Sequence, residues 1–464
     1  MSPSNGPSFW TLRRVSQALG GGPSDDRPVR AISTDTRSVT TGDLFVALAG
    51  ERFDAHEFLA DAVAKGATAV VVRDGGRAAG LGVPAYVVPD TLSALGQLAR
   101  YRRRAWARPV IAIGGSNGKT STKELVRAAL GARLAVHATE GNLNNQVGVP
   151  LTLLALADEA DVAVLELGTN QPGEIATLRA IAEPDVAIVT TVQEEHLEGF
   201  GDLAGVMREE ASLLDGLALA IVPAAEVELV AEARRRARRV VTVGLGTGDF
   251  AASSQGLAGD GTGRITVGDV RVTVPLRGEH NLRNALLALA VARECGVPLL
   301  EAGGAIGALD MERMPAMRSA VETLGRALLI NDAYNANPGS TRAALALLAR
   351  VGSERQRVAV LGTMRELGAQ ADRAHREIAR AALDSGAQVI AGIGDFAAAL
   401  AAIAPADPRV VTAPDVDDLW PLLRSRLADD AAILLKASRG VHLERLLPHL
   451  SAWAAEEVSP YRSS

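Results

Sequence analysis

Val110-Ile111-Ala112-Ile113-Gly114-Gly115-Ser116-Asn117-Gly118-Lys119-Thr120-Ser121 runs an apolar segment directly into a glycine-rich turn and then into helical sequence. That order predicts a buried strand, a tight loop and a helix. Glycines let such a loop wrap its backbone around oxygens with successive N–H groups aimed inward, and the helix turns its positive dipole end to the same place. Lys119 supplies a cation for β and γ phosphate oxygens, and the Thr120 hydroxyl a ligand for Mg2+. The spacing G-x-x-x-x-G-K-T is not met, because Ile113 stands five before Gly118; a shorter G-x-x-G-K-T starts at Gly115. A nucleoside triphosphate is the expected ligand of Gly115, Ser116, Asn117, Gly118, Lys119, Thr120 and Ser121. The competing reading is a glycine-rich helix start with a chance Lys-Thr. The loop alone does not define a reaction, since kinases, motors, switches and ligases share it.

Outward from the loop the chain keeps α/β grammar. Strand-like runs at Val162 to Leu165, Val186 to Thr190, Leu217 to Val222 and Val240 to Val243 have helical sequence between most of them, which favours a parallel sheet covered on both faces. Upstream, Leu44 to Leu48 and Ala69 to Val72, with helical stretches at Phe58 to Lys65 and Thr91 to Arg104, make a smaller α/β unit. Downstream, period-two alternation around Gly268-Asp269 reads as a hairpin, and a helix spans about Asn281 to Glu294. After the break at Met314-Pro315-Ala316, runs at Leu328 to Ile330, Val358 to Leu361, Val389 to Ala391, Val410 to Thr412 and Ile433 to Leu435 build a third unit. The expected fold class is α/β with three domains: a small one over 1–106, a central P-loop parallel sheet over 107–314, and a Rossmann-like domain over 315–464. A length of 464 residues fits three cores at roughly 150 residues each.

Lys and Arg number 48 against 54 Asp and Glu, a net charge of -6 with both signs interspersed, which argues against nucleic acid as the main partner. The runs Arg234 to Arg239 and Arg102 to Arg104 read as solvated helix ends, where cations suit the dipole. One cysteine, Cys295, lies in a helical run and reads as a small core residue; it fits a reducing compartment. No signal-like N-terminus and no apolar run of about 18 residues is present, so a cytoplasmic location without a membrane span is expected. A second glycine pattern, Gly392-Ile393-Gly394 with Asp415 beyond the next strand, has the form of a dinucleotide fingerprint, against a plain strand-to-helix turn.

Further stretches follow the loop in order: Gly141-Asn142-Leu143-Asn144-Asn145-Gln146-Val147-Gly148-Val149-Pro150, then Glu166-Leu167-Gly168-Thr169-Asn170, then His196-Leu197-Glu198-Gly199-Phe200-Gly201. With Asp35-Thr36-Arg37, Gly50 to His56, Glu279 to Ala285, Asp332 to Pro338 and Gly362 to Gly368, they resemble the Mur ligase family over roughly residues 33 to 440. Asp332-Ala333-Tyr334-Asn335-Ala336-Asn337-Pro338 is the element most specific to its MurF-type branch. The resemblance implies an ATP- and Mg2+-dependent ligase that joins D-alanyl-D-alanine to a UDP-N-acetylmuramoyl-tripeptide in peptidoglycan precursor synthesis, working as a monomer. It assigns Asp35, Thr36, Arg37, Asp54 and His56 to the UDP end of the substrate. Asn144, Asn145, Thr169, Tyr334, Asn335 and Asn337 become further substrate contacts, the last two standing against a plain turn before Pro338. Asn281 and Asn284 fall near the adenine, Asp332 at the ribose and Arg318 at the phosphates.

The chemistry can also be argued from the residues. Joining a carboxylate to an amine requires a better electrophile, and transfer of a γ-phosphoryl group to the carboxylate gives an acyl phosphate. Glu166, just past a strand, suits the Mg2+ that Thr120 also touches, and His196, placed alike, suits a second metal. Without the loop, a solvated Glu and a structural His are the plainer readings. Most members of the family carry a carbamylated lysine fourteen positions after that histidine. Here the position is Glu210, which either replaces the carbamate or is a solvated helix charge. Alternatives to the assignment are another Mur-type ligase, such as a folate-extending enzyme that would lack Asp35-Thr36-Arg37, or a P-loop switch with no amine-stimulated phosphate release.

Overall fold

The computed structural model describes residues 9–50, 53–311 and 320–457; Arg318, Glu51, Arg52 and the Met314-Pro315-Ala316 break lie outside them. Contacts divide the chain into two compact units. The first comprises Met1–Ala112, Ala135–Gly168 and Glu174–Asp185, the second Ile113–Leu134, Thr169–Gly173 and Val186–Ser464.

In the first unit four parallel strands are ordered Ile32–Ser33, Leu44–Val46, Ala69–Val72, Ala85–Val87. Alternation puts Leu44, Val46, Ala69 and Val71 on one face, against Trp10, Leu12, Val15, Leu95 and Leu98. Phe45, Val70 and Val72 face Ala55, Leu59 and Ala62 on the other. The helix Thr91–Trp106 starts where the Asp90 carboxylate accepts the N–H groups of Leu92 and Ser93 and stops at left-handed Ala107. Of the basic end expected to be solvated, Arg104 is exposed but the other two arginines are not. Arg102 and Arg103 are 4% and 8% exposed, and Arg103 donates to the carbonyls of Ala182 and Glu183 and to Asp185. Arg102 donates to Leu156 O and Asp158. A guanidinium carries five donors, so it can be buried where unpaired carbonyls at chain ends need them. Strand Val136–Ala138, too short to read from sequence, pairs in parallel with Val162–Glu166.

The second unit holds four parallel strands in the order Val186–Val189, Leu219–Pro223, Arg239–Leu245, Phe250–Ala252. Gly263–Val267 and Val270–Val274 form the expected hairpin, with Val267 opposite Val270. Helix Glu279–Glu294 is apolar on nearly every side, as its burial requires. Cys295 caps it, half-buried, its thiol pushed up by burial. A six-stranded sheet follows, ordered Ala320–Leu324, Ala327–Asp332, Ala432–Lys436, Arg357–Leu361, Val389–Ile393, Val410–Ala413. The first strand, missed in the sequence reading, is an antiparallel edge; the rest are parallel. The second glycine pattern is a strand-to-helix turn: Gly394 sits at φ 60° before the helix Asp395–Ile403, and Asp415 caps the helix Val416–Arg424 by accepting the N–H groups of Asp417 and Asp418. Among the described residues no helix is long and apolar enough to cross a membrane.

Candidate active site

In the second unit the loop closes against the segment after strand Val186–Val189. Ser116 N–H donates to Thr191 O at 2.8 Å and Thr190 N–H to Gly114 O at 3.0 Å, while the Thr190 hydroxyl donates to Asn117 O at 2.6 Å. Gly115 has φ +112°, and a Cβ there would stand 2.4 Å from Thr190 Oγ1; only glycine fits. Gly118 has φ +84° and opens the helix Lys119–Gly131; a Cβ there would stand 3.0 Å from the Asn284 amide. That amide donates to Asn281 Oδ1 at 2.9 Å, so Asn281 and Asn284 lie against the loop. Thr120 is buried, and Ser121 lies half-buried in the first helical turn. Lys119 Nζ donates to Gly115 O at 2.5 Å and stands 3.9 Å from Glu195 Oε1.

His196, at φ 48°, caps the short helix Leu197–Phe200. Its Nδ1 is bonded to Glu366, and its Nε2 is 3.9 Å from Glu195 Oε2. Burial favours neutral His196, but the Glu366 hydrogen bond and the charges of Glu195 and Glu366 outweigh it and hold the pKa above the ordinary value. The Glu195 carboxyl is itself raised by burial, against the opposing charges of Lys119 and His196. Glu210, on helix Leu203–Ala211, is not the solvated helix charge weighed in the sequence reading: it is 1% exposed and accepts Gly115 N–H at 2.6 Å. Burial pushes it up to about 7, against the Lys119 charge and with that of Glu195. Its neighbour Glu209 accepts Gly173 N–H at 2.8 Å and the Thr169 hydroxyl at 3.3 Å, holding the segment that carries Thr169.

Residues of the six-stranded sheet reach this loop. Register sets the ends of Ala327–Asp332 and Ala432–Lys436 side by side, and Lys436 Nζ pairs with Asp332 Oδ2 at 2.6 Å and with Asn335 O at 2.7 Å. Arg439 lies over the Tyr334 ring at 5.5 Å. Asn335 Oδ1 accepts Ala336 N–H, a turn role. Asn337 caps the helix Pro338–Val351 through Ser340 N–H and exchanges two amide hydrogen bonds with Asn117, at 3.1 and 3.0 Å.

In the first unit Glu166 ends its strand buried, with Oε1 accepting from Asn144 Nδ2 at 2.8 Å. Asn145 Oδ1 takes the N–H groups of Val147 and Gly148, which starts the helix Gly148–Leu154. Asp35 chelates Arg37, whose guanidinium holds the carboxyl down to about 2, and Thr36 O accepts Lys65 Nζ. His56 is buried: Nδ1 faces Asp54 Oδ1 at 2.6 Å while Nε2 accepts Arg73 N–H at 2.9 Å. Asp54 also binds Arg77 at 2.8 Å. His56 therefore holds this corner together with both ring nitrogens engaged.

Sequence reasoning gave no role to Thr190, Glu195 or Glu366. Glu366 lay inside the Gly362 to Gly368 motif and Glu195 beside His196, but His196 is distant in sequence from Glu366, as Lys119 is from Glu195.

A phosphate-type loop with acidic and imidazole groups around its lysine, on an α/β scaffold, defines a nucleotide-using transferase or ligase. Three family models match: Mur ligase family, catalytic domain at residues 28–103, Mur ligase middle domain at 113–292, and Mur ligase, glutamate ligase domain at 313–439. The chain belongs to the Mur ligase family. It is 36% identical over 451 residues to the UDP-N-acetylmuramoyl-tripeptide--D-alanyl-D-alanine ligase of Escherichia coli, covering 94% of this chain and 97% of that protein. Its Bacillus subtilis namesake is 32% identical, covering 91% and 93%. Among solved structures, MurF from Acinetobacter baumannii superposes with a TM-score of 0.88 at 31% identity, covering 96% and 99%. MurF ligase from Thermotoga maritima, in complex with ADP, gives 0.79 at 25% identity, covering 93% and 99%.

Proposed function

We propose that this chain is the ligase that joins D-alanyl-D-alanine to UDP-N-acetylmuramoyl-tripeptide at the expense of ATP, in the cytoplasm. The observation that carries the reading is the loop: a glycine-built cradle with Lys119 and buried Thr120, beside His196 and Glu195. A terminal carboxylate oxygen of the tripeptide attacks the γ-phosphorus, and ADP leaves with the electron pair of the broken P–O bond. The dipeptide amine then attacks the acyl carbon, phosphate departs and the amine loses a proton. Lys119 moves from loop carbonyls to balance phosphate charge, and Asn281 and Asn284 pack the nucleoside end of the loop. In the second unit Thr120 and Glu195 offer oxygens of the kind Mg2+ takes and His196 a ring nitrogen, so these residues would fit that ion; Glu166, in the first unit, is a further carboxylate of the same kind. When bound, the ion supplies charge neutralisation to phosphoryl transfer.

Glu210 stands where most relatives carry a carbamylated lysine, and its carboxyl receives the loop amide of Gly115. Asp35, Thr36, Arg37 and Asp54 receive the UDP end, with His56 shaping their corner. Asn144, Asn145 and Thr169 act on the acceptor side, Asp332 and Arg318 on the nucleotide, and Tyr334, Asn335 and Asn337 at the dipeptide end. The working modules are 1–106, 107–314 and 315–464, in a monomer. The test is phosphate release from ATP with tripeptide substrate and D-alanyl-D-alanine added separately and together. Release that needs both, with the amide product formed, supports the reading; release indifferent to the dipeptide refutes it.

A further inference from the structure

Among the described residues five that are not glycine adopt positive φ: Ala107, Glu183, His196, Glu366 and His442. Side chains with a Cβ seldom hold this conformation, and it persists where the surroundings impose it, often at functional sites. Two of the five are bonded to each other although 170 residues apart: His196 Nδ1 to the Glu366 carboxylate. The backbone repeats the contact, since Glu198 N–H donates to Glu366 O at 3.0 Å. The same histidine segment is gripped again by Arg373, which donates to Glu194 at 2.7 Å. The family match around Glu366 and Arg373 is distinct from the one around His196, so this is a junction between two parts of the chain.

The junction has a chemical consequence. With Nδ1 on a carboxylate, that nitrogen carries the proton, so in the neutral ring it is Nε2 that keeps the lone pair. It faces the buried Glu195, whose carboxylate lies 3.9 Å from both Nε2 and Lys119 Nζ. Carboxylate, imidazole, then cation is the arrangement by which an outer residue fixes the tautomer and ring orientation of a metal-binding histidine. We propose that Glu366 is a positioning residue that aims His196 Nε2 at a divalent cation shared with Glu195, so that the C-terminal part of the chain completes this cation site. This rests on the ligase reading above. Two protein donors leave the rest of the coordination shell to substrate oxygens and water, the habit of Mg2+.

The test counts Mn2+ bound to the full chain in the presence of ADP by electron paramagnetic resonance, with ADP affinity measured without metal as the check on folding. His196→Ala should remove one class of bound Mn2+. Glu366→Ala should weaken that same class about 10- to 100-fold, and Glu366→Gln, which keeps an acceptor oxygen, about tenfold. Parental Mn2+ affinity in either Glu366 variant, with ADP binding intact, overturns the proposal; the glutamine variant decides it if the alanine variant fails to bind ADP. Undiminished Mn2+ binding in His196→Ala overturns it too. The ligase reading is judged separately, by two-substrate phosphate release from the parent.

Discussion

Glu210→Gln changes one atom type in a fully enclosed side chain, and its effect should depend on pH. In the folded chain burial lifts the Glu210 carboxyl from 4.5 to about 7. A raised carboxyl favours its protonated form in the fold. That stabilising preference is complete below the unfolded pKa near 4.5 and is lost as pH rises through about 7. At roughly 1.4 kcal/mol per pH unit between the two values, the ionised carboxylate costs the fold about 3 kcal/mol at pH 8. Glutamine retains an oxygen for the Gly115 N–H and carries no charge to bury, so the variant should match the parent within about 1 kcal/mol near pH 4.5. At pH 8 it should exceed the parent by about 2–3 kcal/mol. Urea unfolding of both proteins at pH 4.5, 6, 7 and 8, without divalent metal, reads the difference. A gap that stays constant with pH, or one that widens toward acid, would refute the reasoning, because Glu210 would then be ionised at little cost beside Lys119.

Gly115→Ala meets both a positive φ and a Cβ 2.4 Å from Thr190 Oγ1, so it should lose about 2–4 kcal/mol in thermal unfolding and weaken ADP binding severely. Lys119→Ala should fold like the parent yet lose about 100- to 1000-fold or more in ATP-dependent phosphate release, measured at saturating substrates. Arg103→Ala leaves Ala182 O and Glu183 O without their donor; a loss of about 2–3 kcal/mol in urea is expected, and a change under about 0.5 kcal/mol would show that water replaces it. Asn144→Ala removes the amide on Glu166 Oε1 and should lower kcat more than it changes stability, read by steady-state assay and melting temperature.

Legibility from sequence followed the range of the interaction. Strands such as Ala69–Val72 and Val389–Ile393 are continuous apolar runs, and their existence and their ends could be read to within two residues. The strand Ala320–Leu324 was missed because an antiparallel edge strand, paired on one side only, needs little apolar sequence. Arg102 and Arg103 looked like surface charge because their partners, carbonyls at the ends of other helices, are some fifty to eighty residues away. Asp415 had a functional reading open to it and spends its side-chain oxygen on starting a helix, while Asn145 turns its oxygen to the N–H groups of Val147 and Gly148 just ahead of one.

The loop belongs to what the sequence determined alone. Strand, glycines, lysine and threonine are adjacent along the chain, and the steric freedom of glycine with the dipole of the following helix follows from local covalent geometry. The tertiary structure decided which groups surround that loop. Glu210 against Gly115 N–H, Asn337 against Asn117 and Glu366 against His196 join residues from 95 to 220 positions apart. Such pairings depend on strand register and domain docking, and so does the burial that turns Glu210 from a surface charge into a carboxyl near neutrality.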